Sequence, residues 1–112
     1  MELQEAPFEQ WNELIYRYEW KIEATDIWIL FAENEEGYPP IYCRKNSGDK
    51  EHPVKGEPCI VHNENGCFII SFECRVYKLI ELRYNGDYAE AKLKNLFTKG
   101  EVFWEGTRYV NA

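Results

Sequence analysis

The sequence predicts an α+β domain: an N-terminal helix packed on a curved antiparallel sheet of four to five strands, a second helix near the C-terminus and a short terminal hairpin. Three observations carry this. Phe8, Trp11, Leu14, Ile15 and Tyr18 recur at three- and four-residue spacing, which makes one apolar helical stripe. From Phe68 to Tyr84, eight of the nine even positions are apolar, the period of a half-buried strand. Ala89, Leu93, Leu96 and Phe97 then return to helical spacing.

The first helix opens at Pro7, whose missing N–H costs nothing in a first turn. Glu5 and Glu9 lie where the helix dipole favours acids. Its polar face carries Glu9, Asn12, Glu13 and Tyr16, with Glu13 one turn before Arg17. After Tyr18 the pattern turns extended: Trp20, Ile22 and Ala24 alternate with Glu19, Lys21 and Glu23. Ile27 to Ala32 is continuously apolar, as in a strand covered on both faces. A turn at Glu35-Glu36-Gly37 leads to a strand from Tyr38 to Cys43, where Pro39 and Pro40 mark an edge. A homodimer would pair along that edge.

Residues 44–58 have no apolar period and read as a long loop. Arg44, Lys45, Lys50, His52 and Lys55 make it a candidate binding loop. Cys59 to His62 and the run from Cys67 form a hairpin with Asn65-Gly66 at its tip. The run from Cys67 to Tyr84 reads as one strand, bent near Arg75 to Lys78 because its length exceeds the usual range. Asn85-Gly86 breaks the chain, and Asp87 with Glu90 resembles a capping box for the second helix, which Gly100 would close after Lys99. Val102 to Trp104, Glu105-Gly106 and Thr107 to Val110 read as the terminal hairpin.

Charge narrows the function. The 112 residues, enough for one domain, carry a net charge of −7. Residues 1–36 hold ten acids against Arg17 and Lys21, a net of −8, so the remainder is +1. Such a surface repels a phosphate backbone and steers a basic protein, which argues against a nucleic-acid partner. Arg75, Tyr77 and Arg83 share one parity of the long strand, as in base-stacking sheets, but Glu73 and Glu81 share it too. No apolar run approaches the ~20 residues of a membrane span, and Met1 to Glu5 does not resemble a signal peptide. A cytoplasmic protein with no membrane partner is expected.

Chemistry has little to work with. The thiols Cys43, Cys59, Cys67 and Cys74 form no Cys-x-x-Cys clip. In Cys59-x2-His62-x4-Cys67 with Cys74 beyond, strand alternation sends Cys59 and Cys74 to one face and His62 and Cys67 to the other, which counts against a tetrahedral metal site. A His62–Cys67 dyad at a hairpin tip lacks the cleft that lowers a thiol pKa. There is no Gly-x-Ser-x-Gly elbow, phosphate-binding glycine loop or His-Glu-x-x-His pair. Neither catalysis nor a metal or cofactor is expected.

The expected function is non-catalytic protein binding, with Glu9, Glu13, Tyr16, Glu19 and Glu23 as contacts to a basic partner. Tyr and Trp, twelve together, are favoured at interfaces. In composition this matches an inhibitor, immunity or anti-defence type of antagonist. The alternative is a small-molecule-binding domain with an aromatic pocket between helix and sheet.

Overall fold

A computed structural model describes residues 2–22, 27–31, 42–45, 60–72 and 74–108, and β-structure dominates among them. The strands are β1 (Gln4–Glu5), β2 (Tyr18–Lys21), β3 (Ile27–Leu30), β4 (Tyr42–Lys45), β5 (Ile60–Glu64), β6 (Cys67–Phe72), β7 (Arg75–Asn85), β8 (Tyr88–Asn95) and β9 (Glu101–Arg108). One helix, α1 (Trp11–Arg17), follows a 3-10 turn at Phe8–Gln10. The sheet runs β4-β3-β2-β9-β8-β7-β6-β5, antiparallel throughout, and β1 pairs with β7 beyond the end of β6. Extents of 33 × 33 × 30 Å exclude a flat single layer; the sheet curls into a half-barrel.

The concave face is the core. Tyr18, Trp20, Ile29, Phe31, Phe68, Ile70, Tyr77, Leu79, Leu82, Ala89, Ala91, Leu93 and Trp104 are buried there with Leu14 and Ile15 of α1. The helix spans the concavity. Trp11 meets Phe68 of β6 edge-on at 6.2 Å, and Tyr16 meets Phe31, just past β3, at 6.3 Å. Trp20 Nε1 donates to the Ile15 carbonyl at 2.9 Å, so the sheet satisfies one of the carbonyls left open at the helix end.

The expected first helix is present but shorter than its stripe, since Phe8–Gln10 is a 3-10 turn and Tyr18 already belongs to β2; the strand alternation at Trp20 and Ile22 and the Asn-Gly hairpin are present. Asn65 and Gly66 both have positive φ, +53° and +74°, as a two-residue hairpin turn demands. Ile29, Leu30 and Phe31 are consecutive and buried, so this segment is covered on both faces.

Four expectations are corrected. The described sheet has nine strands, not four to five. The second helix is instead β8: Ala89, Ala91 and Leu93 alternate inward, while Phe97 at 68% exposure buries no helical stripe. Ala89 and Leu93 fit both periods; Ala91 fits only the strand, and pairing with β7 and β9 on either side uses its backbone groups. Asp87 accordingly sits in a tight hairpin turn, with Gly86 at φ +56° and Asn85 opposite Tyr88. What remains of helical geometry is one turn after Asn95, whose Oδ1 accepts from the N–H groups of Phe97 and Thr98 at 2.9 and 3.1 Å.

The long strand is a hairpin as well. Phe72 pairs with Arg75, so the chain reverses over two residues, with Cys74 left-handed at φ +59°. The reversal switches parity, and Tyr77 and Leu79 point inward where Val76 and Lys78 were expected to lead. A bulge between Leu79 and Glu81 restores the original parity and buries Leu82. Finally, β9 passes straight through Gly106 with no terminal turn there. The expected edge from Tyr38 lies outside the described residues apart from β4.

Candidate interaction surfaces

The N-terminal segment is pinned along its length. Glu2 offers its carbonyl to Asn85 Nδ2 at 2.9 Å, Gln4 and Glu5 pair with Tyr84 and Arg83, and the Ala6 N–H donates to the Leu82 carbonyl at 2.8 Å. Trp11 Nε1 donates to the Ala6 carbonyl at 2.9 Å, and Phe8 packs on Trp11 with centroids 5.0 Å apart. Ala6, Leu14 and Ile15 face the core. Glu2, Glu5, Glu9 and Glu13 consequently face water, all exposed. Glu13 pairs with Arg17 one helical turn on, as the spacing predicts.

The five expected contacts are not brought together as a set. Glu9 and Glu13 are exposed on the helix, whereas Tyr16 is half-buried against Phe31. Glu19 is only 3% exposed and is removed from the surface, on the inner strand β2 where it pairs with Leu30 and Thr107. Glu23 lies outside the described residues. Of the candidate loop, Arg44 and Lys45 belong to strand β4, which pairs them with Trp28 and Ile27; Lys50, His52 and Lys55 lie outside the described residues.

The outer face of the sheet carries a charged row set by register: Glu5, Arg83, Glu90, Glu105 and Lys21 on β1, β7, β8, β9 and β2. Beside it, Glu2, Leu3, Arg83 and Glu90 line an open cleft of about 500 Å³. Arg83 Nε stands 3.7 Å from Glu81 Oε1. The cleft is therefore polar and extends the acidic segment.

Other candidate chemistry disperses. Tyr77 is buried against Trp104, with ring centroids 5.2 Å apart, while Arg83 is exposed on the opposite face; the Arg75–Tyr77–Arg83 stacking surface does not exist. His62 Nε2 lies 2.8 Å from Glu64 Oε2 on the exposed hairpin, and Cys67 stands opposite Glu64 with a free thiol. Cys74 is free and exposed at its turn. Among the described residues, no three His, Cys, Asp or Glu side chains cluster as a metal site would require. No described helix is long and apolar enough to cross a membrane. Burial pushes the Tyr18 phenol above its usual range, with Arg17 pulling the other way, and its hydroxyl donates to the Gly86 carbonyl at 2.7 Å.

A second surface escaped the sequence reading. On the outer face Lys78 of β7 stands directly opposite Lys94 of β8. The next row holds Lys92 opposite Phe103, with Ile80 exposed at the bulge. Lys78 was the one polar residue in the even-parity run, which was the available signal.

No known protein family, curated protein or solved structure matches the chain.

Proposed function

We propose that the chain is a non-catalytic protein-binding domain whose N-terminal segment receives a basic partner. The observation that carries this is the display of Glu2, Glu5, Glu9 and Glu13 on a backbone pinned to β7 and to the core. Carboxylates on a pinned backbone need little chain ordering on binding and raise the encounter rate with a cationic surface. The role fits an inhibitor-type antagonist, which needs affinity and no chemistry. The pocket reading draws less support, since α1 fills the concavity with Leu14, Ile15, Trp11 and Tyr16.

The test compares the wild type with E9K/E13K as bait in a lysate of the source cells. Retention of a stoichiometric basic protein by the wild type, lost at high salt, is expected. With that partner purified, E9K/E13K should lower the association rate about tenfold or more. An unchanged association rate sinks the acidic-face reading.

A further inference from the structure

We infer that a second copy of this chain docks its Glu9 and Glu13 carboxylates on the outer-face lysine pair, Lys78 and Lys94, in a head-to-tail contact. Like charges directly opposite on a sheet repel, and an anion bound between them would remove that repulsion. Neither lysine makes an ion pair among the described residues; the neighbouring acid, Glu101, turns its Oε2 to Lys92 Nζ at 3.4 Å. Around them the face is mixed: Ile69 lies opposite Lys78 on the β6 side, Glu101 opposite Lys94 on the β9 side, the next row holds Glu81, Lys92 and Phe103, and Ile80 and Phe103 are 38% and 42% exposed. Phe97, in the Asn95 turn just past β8, is 68% exposed.

The charges match the chain's own acidic N-terminal turn and helix. Glu9, in the 3-10 turn, and Glu13, in the first turn of α1, present two exposed anions to the two cations that Lys78 and Lys94 present. The Glu13–Arg17 pair is exposed and is readily exchanged for a lysine contact. The half-buried rings of Phe8 and Trp11 neighbour those acids in sequence and pack on the core, which leaves the carboxylates facing outward. Because the two surfaces differ, the contact is heterologous.

Net charge shapes the salt response. Two copies at −7 each repel over the long screening length of low salt, about 30 Å at 0.01 M. At about 0.15 M that length falls to ~8 Å, leaving the juxtaposed pairs, and at 1 M these are screened as well. Association should therefore peak near physiological salt.

This inference shares the acidic face with the proposed function but is tested on the purified chain alone. Sedimentation velocity of the wild type up to about 1 mM should show a weight-average mass rising with concentration, most steeply near 0.15 M salt. K78E/K94E and E9K/E13K should each weaken self-association at least tenfold, and mixing the two variants should restore it, since each supplies the surface the other has reversed. A monomer at every concentration and salt overturns the proposal. So does association that survives K78E/K94E, or a mixture that stays monomeric while both variants keep the wild-type circular dichroism spectrum.

Discussion

The indole of Trp20 lies flat against the backbone of Gly106, its partner across β2 and β9. A Cβ at Gly106 would stand 2.8 Å from Trp20 Cζ3 and 2.9 Å from Cε3. The ring has no room to retreat: it is fully buried, packs on Tyr18 at 5.8 Å, and is tethered through Nε1 to the Ile15 carbonyl. Strand β9 therefore needs glycine for close approach, not for a turn.

Gly106→Ala should destabilise the protein by about 1–3 kcal/mol, the usual cost of overpacking. Urea unfolding should show a lower midpoint with an unchanged slope. A midpoint equal to that of the wild type would show that Trp20 does not rest on Gly106.

Position 91 separates strand from helix. In β8 Ala91 is fully buried beside Ala89 and Leu93, whereas a helix with Ala89 and Leu93 inward would turn it to water. Ala91→Lys should cost about 3–5 kcal/mol, the penalty of an uncompensated buried charge. A variant as stable as the wild type would favour the helix.

Tyr18 gives a pH signature at the alkaline end. Its phenol is raised by burial, so the folded state holds the proton to higher pH than the unfolded state does. Its contribution to stability is complete below about pH 10 and is lost as pH rises through the folded-state pKa. Tyr18→Phe should cost about 1 kcal/mol at neutral pH through the lost bond to the Gly86 carbonyl, and should flatten the decline above pH 10. Urea midpoints from pH 9 to 11 test both; equal slopes in the two proteins would contradict the buried phenol.

Lys99 occupies a left-handed conformation at φ +66°, closing the turn with its N–H on the Asn95 carbonyl at 2.7 Å. Such geometry strains any residue with a Cβ. Lys99→Gly should raise stability by roughly 0.5–1 kcal/mol, the strain relief less glycine's own entropy cost. Asn95→Ala should lower it by about 1 kcal/mol, as the Phe97 and Thr98 N–H groups lose their acceptor. A thermal midpoint moved the other way in either variant would contradict this turn.

What the sequence determined by itself is local. The helical stripe from Phe8 to Ile15, the Asn65-Gly66 turn and the doubly covered run at Ile29 to Phe31 each follow from spacing or φ preference within a few residues. The acidic N-terminal third and the exposed Glu9 and Glu13 were legible for the same reason, since a polar helix face needs no distant partner to stay in water.

The tertiary structure decided everything that depends on a neighbour. Glu19 is buried on an inner strand of the sheet, a fact its own segment does not encode. Ala89 and Leu93 are compatible with two periods, and pairing with β7 and β9 selected the strand. Two changes of parity, at Cys74 and at the Ile80 bulge, hide in an apolar run because a period of two carries no mark of where one residue is inserted. Those shifts place Tyr77 in the core and leave Lys78 facing Lys94 across the outer sheet, so both the core and the second surface were fixed by register rather than by composition.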